Sequence, residues 1–149
     1  MFHQEKFLDR LTEQMTLNGL DYKALSKALS ISASTVYNLR SGRYQTPSTR
    51  VLFALIEYFN CSADYLLGLI DFPSDCVTYH SPLASYGARI RELLKEREET
   101  QKVFIENMKL SSNLAYKWLS DKTLPSVEYL IKLAEYFEMS VDSFIQRVY

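Results

Sequence analysis

The stretch that decides the fold is residues 24–42, with the sequence ALSKALSISASTVYNLRSG. Leu25 and Leu29 are spaced as on one face of a helix and predict a short helix with an apolar side. Ser32 is a favourable N-cap for a second short helix, which Gly42 ends. The stretch therefore predicts two short helices joined by a turn.

The chain contains this arrangement twice. Residues 47–64 (PSTRVLFALIEYFNCSAD) align with residues 125–142 (PSVEYLIKLAEYFEMSVD) at an offset of 78, with nine identical residues among 18. Upstream of these segments, an offset of 79 aligns Tyr37 with Tyr116. A solenoid needs at least three shorter repeats, so two units of about 65 residues indicate a duplicated domain.

The repeat predicts two domains, at residues 1–70 and 86–149. The linker between them, residues 71–85, has the sequence DFPSDCVTYHSPLAS, which contains two prolines and no helical period. Fully extended, it spans at most about 50 Å, so it would tether the domains without fixing their orientation. Each domain reads as five short helices and neither contains a strand pattern. The predicted fold is all-α.

Composition restricts the class of protein. The chain has 149 residues, and 17 basic against 18 acidic residues give a formal net charge of -1. Apolar residues make up 47% of the chain, enough for a packed core, yet no stretch approaches the roughly 20 apolar residues of a membrane span. The N-terminus lacks the basic and apolar regions of a signal peptide. We therefore expect a small soluble protein of the cytoplasm that does not bind membranes.

The residues that carry catalytic or metal chemistry are sparse. Cys61 and Cys76 form no Cys-x-x-Cys pair, and His3 and His80 have no ligand-spaced partner. The four glycines form no nucleotide-binding pattern, and no nucleophile is paired with a base. We expect no enzyme activity, no cofactor and no metal site.

The two central helix pairs have the form of a helix-turn-helix. Residues 24–42, followed by Pro47, and residues 100–121 (TQKVFIENMKLSSNLAYKWLSD), followed by Pro125, resemble the phage-repressor/Cro-like family of the xenobiotic-response-element type. The closing Ser-x-Asp of that pattern is also present in both units. The turn differs from the family pattern, which usually has glycine at the positions that are Ser30 and Lys109 here.

The resemblance implies that the third helix of each unit lies in the major groove of double-stranded DNA. The residues then expected to contact bases are Ala33, Ser34, Tyr37, Asn38, Ser112, Asn113, Tyr116 and Lys117. The residues expected to contact phosphates are Tyr22, Ser32, Arg43, Tyr44, Gln101, Ser111 and Lys122.

Two interpretations of Tyr37 and Tyr116 stay open at this point: a base contact, or a packed ring with its hydroxyl at the surface. Trp118 shares its repeat position with Leu39, so we expect it in the core. The charge pattern supports DNA binding. Residues 21–50 hold five basic residues and one acidic, a net charge of +4, and residues 100–127 hold four and two, a net charge of +2.

The resemblance implies a sequence-specific DNA-binding transcriptional regulator, expected to be a repressor. It would act as a homodimer with at least one reading domain in each chain, although a single chain could also cover two sites by itself. The alternative is a protein-interaction or dimerisation module that has lost sequence-specific DNA binding. A near-neutral chain and substituted reading positions favour that alternative, which requires a partner protein.

Overall fold

The computed structural model describes residues 1–41, 46–73 and 79–148. Within these ranges every regular element is an α-helix, which confirms the all-α prediction. The helices are α1 (Gln4–Leu17), α2 (Tyr22–Leu29), α3 (Ala33–Arg40), α4 (Thr49–Phe59), α5 (Ala63–Leu66), α6 (Tyr86–Glu96), α7 (Gln101–Met108), α8 (Ser112–Leu119), α9 (Val127–Tyr136) and α10 (Val141–Phe144). Among the described residues, none of the helices combines the length and the apolar content needed to span a bilayer.

Side-chain caps define where most of these helices begin. The hydroxyl of Ser32 accepts a hydrogen bond from the Thr35 amide at the start of α3, as the sequence predicted. The equivalent Ser111 caps α8 in the same way. Capping satisfies amides that have no partner inside the helix, and this is why short helices begin at these positions.

The helix pairs are held by apolar residues on their inner faces. Val36 and Leu39 of α3 are buried, and so are Ala115 and Trp118 of α8. The prediction that Trp118 belongs to the core is therefore confirmed. Its ring meets the ring of Tyr129 on α9 edge to face, with centroids 4.9 Å apart. Each third helix is thus fixed by its inner side and leaves its outer side exposed.

The turn before each third helix has a left-handed residue. Ser30 has φ = 55° and Lys109 has φ = 54°, at the two positions where the resembled family usually has glycine. A side chain with a Cβ atom is strained in this region of backbone conformation, whereas glycine is not. The turn is therefore built in both units at some cost in stability.

The two units contact each other through a reciprocal exchange of carboxylates. The Asp142 carboxylate accepts hydrogen bonds from the Ala63 amide (2.8 Å) and the Ser62 hydroxyl (2.5 Å) at the start of α5. The Asp64 carboxylate accepts from the Val141 amide (3.0 Å) and the Asp142 amide (2.8 Å) at the start of α10. Each aspartate, only 5% exposed, therefore caps the last helix of the other unit. We refer to this arrangement as the carboxylate exchange.

Further contacts between the units surround the carboxylate exchange. The Arg147 side chain, 2% exposed, donates hydrogen bonds to the carbonyls of Ile56 (3.2 Å) and Cys61 (2.9 Å). The ring of Tyr86 at the start of α6 stacks on that of Phe53 in α4, with centroids 6.2 Å apart. The sequence predicted a tether that leaves orientation free; in the structure, packing between the units sets their orientation.

The strained turn gives a prediction about stability. Replacing Lys109 by glycine relieves the left-handed strain and should raise the free energy of unfolding by about 0.5–1 kcal/mol, after the entropic cost of glycine. Urea denaturation measures the change. The control is Lys109→Ala, which removes the same charge but keeps a Cβ atom and so should give no comparable gain. Equal effects of the two substitutions would contradict the strain argument.

The carboxylate exchange predicts a dependence of stability on pH. Burial and the neighbouring Asp142 raise the pKa of Asp64 to about 7. Between its ordinary pKa near 4 and about 7, the folded chain therefore binds more protons at this group than the unfolded chain. Relative to an Asp64→Asn variant, the parent should lose stability as the pH rises through this window.

The measurement is the free energy of unfolding of both proteins at several pH values from 4 to 8. The control is Asp9→Asn, which removes an exposed carboxylate of α1. A difference between the parent and the Asp64→Asn variant that stays constant across the window would contradict the raised pKa.

Candidate nucleic-acid interface

The outer faces of α3 and α8 present the side chains that the sequence predicted as base contacts. Tyr37 is 60% exposed and Tyr116 is 55% exposed. This decides against packed rings at the two positions and places both at the surface. The exposed members of the predicted set are Ala33, Ser34, Tyr37, Ser112, Asn113 and Tyr116, and the half-buried members are Asn38 and Lys117.

A cation lies close to an aromatic ring on each of these surfaces. In the first unit the ring of Tyr22 lies 6.4 Å from that of Tyr37, and the guanidinium of Arg40 lies 4.2 Å from the Tyr22 centroid. In the second unit the Lys122 ammonium lies 4.7 Å from the Tyr116 centroid. Cation–π contacts of this kind hold basic side chains beside the outer face, where they can meet a phosphate.

Four of the predicted phosphate contacts lie at helix N-termini. Gln101 is the exposed first residue of α7, and Tyr22 is the half-buried first residue of α2. Ser32 and Ser111 are exposed, and their hydroxyls are the caps of α3 and α8. Lys122 is exposed in the segment that follows α8. The two remaining predicted contacts, Arg43 and Tyr44, lie outside the described residues.

The N-termini of the two second helices differ in charge. The α2 cap is the carboxylate of Asp21, which accepts from the Ala24 amide at 2.8 Å, whereas the α7 cap is the hydroxyl of Thr100. A helix N-terminus favours an anion, but a phosphate near α2 would also meet the negative charge of Asp21. The start of α7 is therefore better suited to bind phosphate. Asp21 and Thr100 occupy equivalent positions of the repeat, so the difference arises from one substitution between the units.

A carboxylate next to the candidate surface of the second unit is held by local hydrogen bonds. Asp121, which follows α8, accepts from the Gly87 amide (3.1 Å) and the Ser85 hydroxyl (2.7 Å) at the start of α6. These donors hold the pKa of Asp121 below its usual range. Its charge is thus tied to the α6 N-terminus, while the adjacent Lys122 contacts the ring of Tyr116.

Two grooves lie beside the third helices. The smaller, about 380 Å³, lies in the second unit and brings together three predicted residues, Gln101, Ser112 and Tyr116, next to Arg91 of α6. The larger, about 710 Å³, lies between the two units and is lined by the segments that follow α3 and α8. We call it the central groove.

The central groove is basic. Arg50 and Lys122 line it, and no acidic side chain is found among its described lining residues. Its two walls come from equivalent parts of the repeat, with Pro47 and Ser48 on one side and Pro125 and Ser126 on the other. Sequence reasoning missed this groove, because it exists only through the contact between the units. The equivalence of its walls was, however, visible in the repeat.

Comparison with known proteins supports the assignment of the first unit. Residues 11–66 match the protein family described as "Helix-turn-helix". These residues are therefore a helix-turn-helix domain, the class of domain that DNA-binding transcription regulators carry. The match does not extend to the second unit, whose likeness to the first rests on the internal repeat and on its equivalent helices. No curated protein and no solved structure matched the chain.

Proposed function

We propose that this chain is a sequence-specific double-stranded DNA-binding transcription regulator, acting as a repressor, that inserts α3 and α8 into the major groove. The observation that carries the proposal is the pair of equivalent helices, each fixed by a buried inner face and each exposing a tyrosine and small polar residues outward. The helix-turn-helix match over residues 11–66 supports it for the first unit.

The side chains on the outer faces have the chemistry needed to distinguish bases. The amides of Asn38 and Asn113 can pair bidentately with adenine, and the Lys117 ammonium can donate to the acceptors of guanine. Ala33 offers only a methyl group, which suits a thymine methyl. These residues would therefore read different bases in the two units.

Phosphate contacts would position the helices on the duplex without reading sequence. Gln101 and the α7 N-terminus supply donors in the second unit, together with Lys122. In the first unit Tyr22 lies beside the third helix, and Arg40 lies over its ring. Occupation of an operator in this way would block access of polymerase to a promoter, which is the mechanism of a repressor.

A protein-interaction module is the second candidate function, and one observation favours it. Tyr37, Val103, Tyr116 and Leu124 are large apolar side chains that are all exposed on or beside the candidate surfaces. Exposed apolar groups of this kind also suit a protein partner. The homodimer predicted from the sequence stays a prediction under either function.

The test is selection of the purified full chain on random duplex DNA at physiological salt, followed by sequencing. Two variants distinguish a side chain that reads bases from one that only contacts phosphate. Lys117→Ala should cost about 1–3 kcal/mol at particular base positions and relax the motif there. Lys122→Ala should weaken binding to all sequences and lower the salt slope by about one. The control is Lys95→Ala, an exposed lysine of α6 outside the predicted contacts.

An enriched motif that Lys117→Ala relaxes and Lys95→Ala leaves unchanged would support the regulator. If no sequence is enriched and binding is seen only at low salt, the regulator is contradicted and the protein-interaction module is favoured.

A further inference from the structure

The contact between the units is reciprocal in the way that a two-fold axis requires. Asp64 caps α10 and the equivalent Asp142 caps α5. In an interface with two-fold symmetry, residue i of one body contacts residue j of the other, and j contacts i. The two halves of this chain therefore meet as the two subunits of a symmetric dimer would.

The flanking contacts join corresponding regions of the two units, although not all of the residues involved are equivalent in the repeat. Tyr86, at the start of α6, stacks on Phe53 of α4. On the opposite side, Phe2, just before α1, lines a cavity together with Ile131 of α9, the repeat equivalent of Phe53. The amino group of Met1 also lies 3.7 Å from the Glu135 carboxylate of α9. In both cases a residue at or just before the first helix of one unit lies against the fourth helix of the other.

The position of the central groove shows where the axis lies relative to the third helices. Equivalent segments form its two walls, so the axis passes through the groove. Thr35 and Leu39 of α3 also line the groove, as does Lys122 just after α8. Because a two-fold axis keeps equivalent elements at the same height, α3 and α8 flank it on the same side of the molecule.

Dimeric helix-turn-helix proteins reach two half-sites with this arrangement of third helices about an axis. A homodimer reads the same sequence twice, since its two helices are identical. Here the outer faces differ at three of the four predicted reading positions: α3 has Ala33, Ser34 and Asn38, where α8 has Ser112, Asn113 and Lys117. The two halves of a site would therefore carry different bases.

We infer that one chain binds one duplex at two adjacent, unlike half-sites, with its own two units taking the place of the two subunits of a dimer. This inference rests on the proposed function, because it requires α3 and α8 to read DNA. It adds the class of ligand, an asymmetric operator, and it makes a second copy of the chain unnecessary for binding.

The test transfers the outer face of α8 to α3. The triple variant Ala33→Ser, Ser34→Asn, Asn38→Lys gives both helices the same predicted reading residues. Selected on random duplex DNA, the parent should enrich two unlike half-sites. The variant should enrich two like half-sites related by a two-fold axis, with the spacing between them unchanged.

Two further proteins keep the test interpretable. The double variant Ala33→Ser, Ser34→Asn changes only exposed residues, so it remains folded even if the half-buried position 38 does not accept lysine. It should change part of the base preference in the half-site that α3 reads. The control is Ala28→Ser, at an exposed alanine of α2 outside the predicted contacts, which should leave the motif unchanged.

The outcomes separate the inference from the function on which it rests. A parent motif with one half-site, or with two identical half-sites, overturns the inference but leaves DNA reading intact. The absence of an enriched motif for all the proteins overturns the proposed function as well. A change confined to one half of the motif in the variants supports both.

Discussion

The rest of the structure depends on the exchange of carboxylates between the last helices of the two units. A buried carboxylate is costly unless it is hydrogen-bonded, and here each one accepts from amides at the N-terminus of the partner helix. The helix dipole adds to the attraction, and Arg147 places a positive charge 3.8 Å from the Asp142 carboxylate. Removing one carboxylate would leave the buried amides of the other unit without their acceptor, so the exchange holds the units in one orientation.

That orientation determines what the outer surfaces can do. With the units packed, the segments after α3 and α8 form opposite walls of one basic groove, and Thr35 and Leu39 of α3 also line it. With only a flexible linker, the same helices would present two independent surfaces. In the proposed mode of binding, the contact between the units would supply the geometry for two adjacent half-sites, and the side chains on each helix would supply the choice of bases.

Local sequence patterns predicted most of the fold. Caps such as Ser32, the apolar faces of the helix pairs and the buried Trp118 depend on residues close in the chain, which periodicity reports directly. The exposure of Tyr37 and Tyr116 was left open, because an aromatic residue at that spacing suits either side of a helix. In the structure both rings lie at the surface.

The contact between the units could not be predicted from these patterns. In the Ser-x-Asp motif the serine caps its own helix, as Ser62 does by accepting from the Tyr65 amide, but the aspartate caps a helix nearly 80 residues away. Sequence alone does not show this second role. Arg147 was a further signal of this contact. It occupies the repeat position of Leu69, and a charged residue at a position that is apolar in the other unit indicates a buried polar contact.

The candidate site was only partly predictable for the same physical reason. Which residues of α3 and α8 point outward follows from helical spacing, but the central groove and the different caps of α2 and α7 matter only once the surfaces are assembled. The first unit has more basic residues but an acidic cap, whereas the second has a neutral cap and Lys117. The two surfaces are therefore related by the repeat but unequal in chemistry.

In the proposed complex, one chain supplies both reading helices. The most direct measurement is the mass of the complex, by native mass spectrometry, with a duplex enriched by the parent protein. If one chain supplies both reading helices, the complex has the mass of one duplex plus one chain of 17.3 kDa, with no dependence on protein concentration above saturation. A complex that contains two chains on a single duplex, formed cooperatively, would contradict it.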